Sequence, residues 1–157
     1  MDDGDLRAAI VAAGARLGAR GLISAGEGNI SVRLPDGRLL ITPTGRRKDE
    51  LRAEDLVVVD IDGARAAADP KTEGPRPSSD VAIHRAVLLA RPDVAAVVHA
   101  HLPASMALTL AGEVPDPASL PETALLLPRL PFVPFGAPGS ADLAARIAAA
   151  FTDGEVP

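Results

Sequence analysis

Ile30-Ser31-Val32-Arg33-Leu34-Pro35-Asp36-Gly37-Arg38-Leu39-Leu40-Ile41-Thr42 places two β-favouring runs on either side of a Pro-Asp-Gly turn. Turn chemistry of that kind joins neighbouring antiparallel strands, so the sheet opens with a hairpin and not with a helical crossover. Upstream, Leu6, Ile10, Ala13 and Leu17 recur at three- and four-residue steps behind the acidic Asp2, Asp3 and Asp5, which predicts an amphipathic helix stopped at Gly21. Downstream, Val57 to Ile61 reads as a third strand ending at Asp62-Gly63. Residues 64–77, rich in Ala, Pro, Gly and charge without a period, read as a surface loop. Ser78 and Ser79 are capping residues ahead of a helix with Val81, His84, Val87 and Leu88 on one face, which ends before Pro92. Val94 to His101 follows as a buried strand, then a short helix from Pro103 to Leu110 and a strand over Phe132 to Phe135. A last helix begins at Gly139-Ser140, carries Leu143, Ile147 and Phe151 on one face and closes at Asp153-Gly154; Glu155-Val156-Pro157 reads as the start of another element. Helices that alternate with hairpin-linked strands predict an α/β fold with a mixed or antiparallel sheet covered by helices, in preference to a doubly wound parallel one.

Composition narrows the chemistry. A chain of 157 residues has room for one domain with its own core. A net charge of −5 argues against nucleic acid or an anionic membrane as the main partner, since both need an excess of Lys and Arg on one face. With no Cys there is no disulfide, thiolate ligand or Cys nucleophile, and a transition-metal site has to draw on carboxylates and the three His, at 84, 99 and 101. No stretch approaches the roughly 18 apolar residues of a membrane span. The start, Met1-Asp2-Asp3-Gly4-Asp5, is acidic where a secretory signal is basic, so the expected compartment is the cytoplasm.

The sharpest constellation is Val97-Val98-His99-Ala100-His101. Residues two apart on a strand share a face about 6 to 7 Å apart, so both imidazoles can converge on one metal ion. Two buried neutral imidazoles without a metal each need a polar partner instead. His84, among Val81, Val87 and Leu88, reads as a hydrogen-bonded core residue. Pro77-Ser78-Ser79-Asp80 sets two hydroxyls and a carboxylate at a helix start, where exposed N–H groups favour an anion; ordinary capping is the alternative. Gly26-Glu27-Gly28-Asn29 and Thr42-Pro43-Thr44-Gly45 are glycine-bearing turns whose backbone could approach a phosphate. Arg46, Arg47 and Lys48 read as a solvated charge run.

Taken in order, Gly28-Asn29-Ile30-Ser31-Val32-Arg33, Ile41-Thr42-Pro43-Thr44-Gly45, Glu54-Asp55-Leu56-Val57-Val58-Val59-Asp60, Pro77-Ser78-Ser79-Asp80, Arg91-Pro92-Asp93 and Val97-Val98-His99-Ala100-His101 resemble the class II aldolase and adducin family, whose type member is fuculose-phosphate aldolase. The resemblance covers almost the whole chain, and Pro138-Gly139-Ser140 before the last helix fits it as well. It implies a three-layer α/β/α fold around a central, largely antiparallel sheet, and a homotetramer with active sites between subunits. By the same resemblance Gly28, Asn29, Thr44, Gly45, Ser78 and Ser79 correspond to the phosphate-binding positions, and His99 and His101 to two of three His ligands of Zn2+ or another divalent metal. Asp80 occupies the position of the acidic residue that serves as general acid/base.

The implied activity is a zinc-dependent lyase that cleaves a phosphorylated ketose to dihydroxyacetone phosphate and an aldehyde. Asp at position 80 is the form of the ribulose-phosphate 4-epimerase branch, whereas Thr42-Pro43-Thr44-Gly45 is the aldolase form, so epimerase or dehydratase chemistry stays open. So does a non-catalytic, adducin-like interaction module. The family's third His ligand follows the last helix, and its tyrosine proton donor has no counterpart in a chain without Tyr. The resemblance therefore implies that residues 1–157 form a single domain lacking its C-terminal part, a strand with a His near a Gly being expected past Pro157.

Overall fold

The computed structural model describes residues 2–62, 74–127 and 129–152. Helix α1 (Asp3–Ala19) is launched by a reciprocal cap: Asp5 N–H donates to Asp2 Oδ1 at 2.8 Å, and Asp2 N–H donates to Asp5 Oδ2 at 3.1 Å. The hairpin forms as its turn predicts. Strand β1 (Asn29–Arg33) pairs antiparallel with β2 (Leu39–Ile41) in the register Ser31↔Ile41, Val32↔Leu40 and Arg33↔Leu39. Strand β3 (Val57–Val59) adds antiparallel to β2, and β4 (Ala96–His99) antiparallel to β1, giving the sheet order β3-β2-β1-β4.

Period-two alternation sorts the apolar side chains into two cores. Ile30, Leu34 and Leu40 pack with Leu6 and Ile10 of α1 on one face of the sheet. On the other face Leu39, Ile41 and Val59 pack with Leu88 of helix α2 (Val81–Ala90), with Val97 of β4 against them. Helix α3 (Pro103–Leu110) and the short α4 (Pro121–Leu126) follow β4; helix α5 (Ala141–Thr152) buries Ala144 and Ala148 and packs along α2. The result is the three-layer α/β/α arrangement around an antiparallel sheet. Leu39, Leu40 and Ile41 are wholly buried, each contributing about 1.5–3 kcal/mol relative to an exposed position.

Two expectations fail. The strand read over Val94 to His101 shortens to Ala96–His99 and is not buried: among the described residues it is bonded on one side only, to β1, and Val98 is 55% exposed. Its apolar composition signalled a buried strand, but among the described strands the sheet order puts it last, beside β1 alone. Phe132 to Phe135 forms no strand; Pro131 and Pro134 withhold ladder donors, and Phe135 is 92% exposed. Of the expected loop, residues 64–73 lie outside the described residues, as do the expected helix closure at Asp153-Gly154 and the segment 155–157. No helix among the described residues is long and apolar enough to cross a membrane.

Two glycines are required by close approach. Gly14 on α1 lies against the backbone of Lys48, where a Cβ would sit 2.1 Å from the Lys48 carbonyl oxygen. Gly28 has φ +68, and a Cβ there would meet the His99 carbonyl oxygen at 2.7 Å.

Candidate active site

The hairpin carries one wall of a cavity of about 380 Å³. Past β2 the chain is joined by the segment entering α2: Thr44 N–H donates to the Arg76 carbonyl at 3.0 Å, and Ser78 N–H donates to the Thr42 carbonyl at 3.1 Å. Those two bonds bring the Thr44-Gly45 turn beside Ser78 and Ser79. Gly28 closes the turn before β1 against the end of β4. Gly28, Asn29, Thr44, Gly45, Ser78, Ser79, Asp80, His99 and His101 all line the same cavity, so the nine positions singled out in the sequence are brought together.

Asp80 is the N-cap residue of α2, but its side chain caps nothing. The capping hydroxyl comes from Ser78, whose Oγ accepts from Asp80 N–H at 3.3 Å. The Asp80 carboxylate turns instead across the sheet, where Oδ2 accepts from Asn29 Nδ2 at 2.9 Å and lies 3.3 Å from His99 Nδ1. This convergence follows from register, because Asn29 of β1 and His99 of β4 are directly opposite. Burial pushes His99 below the usual imidazole range, opposed by the Asp80 carboxylate and assisted by His101, so the ring is kept available as a neutral donor.

The strand ends at His99, yet the His101 ring lies beside it, centroid to centroid 4.9 Å. His101 Nδ1 is 3.7 Å from Glu27 Oε1. Glu27 is itself held by Ser24, whose Oγ donates to Oε2 at 2.8 Å and whose N–H donates at 3.2 Å, and these bonds keep its carboxyl below the usual range. Each imidazole thus presents Nδ1 to a carboxylate, the arrangement that orients a ligating His and leaves Nε2 for a metal. The donor chemistry suits zinc or a similar divalent ion as two of its ligands. No group of three or more His, Cys, Asp or Glu among the described residues is arranged to hold a metal ion.

Lys48 was missed in the sequence. It is 3% exposed, donates from Nζ to the Gly26 carbonyl at 2.6 Å and to the Arg46 carbonyl at 2.7 Å, and lines the cavity. Burial depresses its pKa, the nearby Asp80 charge opposing that effect. Its neighbours Arg46 and Arg47 are exposed as a charge run should be. His84 is wholly buried, as a core His should be, and its ring bonds Ser31 Oγ at 2.6 Å and, more closely, Asn29 Oδ1.

The description "Class II Aldolase and Adducin N-terminal domain" matches residues 8–156. The chain belongs to that family. Class II aldolase family membership is borne out by relatives and folds alike. Over 101 residues, which are 64% of this chain and 47% of the other, it is 44% identical to a methylthioribulose-1-phosphate dehydratase of Gluconacetobacter diazotrophicus. Over 147 residues, 91% of this chain and 64% of the other, it is 36% identical to a 3-oxo-tetronate 4-phosphate decarboxylase of Cupriavidus necator. The crystal structure of L-fuculose-1-phosphate aldolase from Thermus thermophilus superposes with a TM-score of 0.72 at 33% identity, covering 94% of this chain and 71% of that one. The match spans about half the length of the dehydratase. These family members are lyases named for small phosphorylated sugars or keto acids.

Proposed function

We propose that the protein is a metal-assisted lyase that cleaves a small phosphorylated ketose to dihydroxyacetone phosphate and an aldehyde. One observation carries this reading: the turns and hydroxyls suited to a phosphate share a single cavity with the Asp80–His99–His101 cluster. Asn29, Thr44, Gly45, Ser78 and Ser79, with the Lys48 ammonium behind them, hold the phosphate and so fix the distance from it to the reacting carbons. A zinc or other divalent ion, when bound by His99 and His101, supplies Lewis-acid polarisation of the carbonyl and adjacent hydroxyl. Asp80 accepts the proton of the hydroxyl that becomes the aldehyde carbonyl as the carbon–carbon bond breaks. The same carboxyl returns a proton to the enediolate carbon, which completes dihydroxyacetone phosphate.

Dehydration of the same class of substrate is the second reading, favoured by the 44% identity to the methylthioribulose-1-phosphate dehydratase. Both readings draw on a polarised carbonyl and on Asp80 as the proton-transfer group, and a 4-epimerase acting by retro-aldol cleavage and re-addition would use them too. A non-catalytic adducin-like module has no physical need of paired imidazoles beside an anion site. The reading takes residues 1–157 as one family domain, acting in the cytoplasm as a homotetramer on a small phosphorylated sugar, with the third metal ligand supplied from outside the described residues.

Protein loaded with zinc is offered 5-methylthioribulose 1-phosphate and 5-deoxyribulose 1-phosphate, the substrates that name a relative from Rhodospirillum rubrum. Release of dihydroxyacetone phosphate, read by coupled reduction, supports the aldolase. Loss of water by mass spectrometry moves the assignment to dehydratase, and neither product with zinc bound leaves the interaction module.

A further inference from the structure

His84 lies one helical turn after Asp80 on α2, and Asn29 and Ser31 are two apart on β1. The first spacing puts both α2 side chains on one helix face; the second puts both β1 side chains on one sheet face. Where those faces meet, three hydrogen bonds join four residues: Ser31 Oγ with His84 Nδ1, His84 Nε2 with Asn29 Oδ1, and Asn29 Nδ2 with Asp80 Oδ2. We infer that His84 is a positioning residue, held between Ser31 and Asn29 as the neutral Nε2–H tautomer, which turns the Asn29 amide so that its NH2 group faces Asp80.

The donor and acceptor roles follow by exclusion. A carboxylate only accepts, so the atom of Asn29 that faces Asp80 is the NH2 group. The carbonyl oxygen of the same amide then faces His84 and also only accepts, so His84 Nε2 carries the proton. A neutral ring has one bare nitrogen, and Nδ1 takes the Ser31 hydroxyl proton at 2.6 Å. An imidazolium could not accept that bond, and burial, which pushes His84 down to about 4, keeps the ring neutral at working pH. Ser31 and His84 are both completely buried, so no water competes for these bonds. Without the donor at Nε2 the Asn29 amide is free to rotate its oxygen toward Asp80, where like partial charges repel. The side chain of His84 hydrogen-bonds Ser31 and Asn29, and its hydrogen-bonded route to the Asp80 carboxylate runs through the Asn29 amide. Its effect on turnover rests on the lyase reading above; the hydrogen-bond chain does not.

The test uses the full chain labelled with 15N in His and Asn. Long-range 1H–15N spectra are expected to show His84 with Nε2 protonated and Nδ1 bare. His84→Leu keeps bulk without a donor and should shift the Asn29 side-chain NH2 resonance as Asp80→Asn does, while His84→Gln, which retains an N–H donor, should restore it. In a turnover assay with the ketose phosphate found active, kcat should fall about tenfold or more in the Leu variant and recover in the Gln variant. An Nδ1–H tautomer, or an Asn29 resonance that ignores a folded His84→Leu, overturns the inference. Should the Leu variant not fold, the wild-type tautomer and the Gln variant decide it. If the wild type turns over no ketose phosphate, the lyase reading fails while the spectra still settle the role of His84.

Discussion

At the Thr44–Gly45 end of the cavity the lining groups are turns, hydroxyls and one buried ammonium, whereas at the His99–His101 end they are titratable side chains held by one another. Main-chain bonds set the first end: Thr44 N–H donates to the Arg76 carbonyl and Ser78 N–H to the Thr42 carbonyl, with no side-chain atom in either bond. At the second end the β1–β4 register places the residues, but their polar groups are oriented by one another. Asp80 depends on Asn29, Asn29 on His84, and His84 on Ser31, so loss of one group releases the next. If the first end binds and the second reacts, as proposed, a binding end built on backbone is less sensitive to side-chain exchange, and a reacting end built on side chains gains adjustable acid/base behaviour at the cost of fragility.

The largest break falls on the imidazole end. His99→Ala or His101→Ala should abolish zinc retention, measured as metal per chain after gel filtration, while inorganic phosphate still raises the melting temperature through the intact cradle. Equal loss of phosphate stabilisation would erase the distinction between the ends.

A pH titration of stability comes next. Burial lowers the folded-state pKa of His84 from 6.5 to about 4, so between those values the unfolded chain binds the extra proton. Stability is then fully present above about pH 6.5 and falls toward pH 4 by up to about 1.4 kcal/mol per unit, or about 3 kcal/mol in all. His84→Gln should flatten that limb in urea melts, and an unchanged limb would assign it to other groups.

Asp80→Asn should lower turnover by about 10² or more, the usual cost of a general acid/base, with phosphate affinity unchanged. A smaller effect is expected from Lys48→Met: about tenfold weaker phosphate binding by calorimetry, and a shallower dependence on salt. Should Lys48→Met instead leave phosphate alone and remove zinc, the cation would belong with the reacting end.

The parts of this site that local chemistry dictates could be read from the chain. Pro35-Asp36-Gly37 announces its hairpin, and His-x-His announces two rings on one side, because turn type and strand alternation act over a few residues. What escaped depends on which elements become neighbours. Nothing near Val97 says that β4 lies beside β1, yet only that pairing sets His99 opposite Asn29. The same order exposes Val98, whose apolar neighbours had suggested a buried strand. Lys48 sits in a run of three cations whose first two members are solvated, while its own ammonium is held by the Gly26 and Arg46 carbonyls and its backbone lies against Gly14 of α1. His84 looked like a core residue and is one; its second role is visible only in what its two nitrogens touch.

Gly14 gives that distant control a practical edge. Helix engineering favours replacing an interior glycine with alanine, an exchange worth about 1 kcal/mol in an exposed helix. At this position the added methyl would sit 2.1 Å from the Lys48 carbonyl, so the helix and the loop cannot both stay where they are. Gly14 does not line the cavity, and a library confined to pocket residues would never sample it. A stabilisation campaign run on helix propensity alone would choose Gly14→Ala early and displace the Lys48 side of the cavity from outside, leaving every lining residue unchanged.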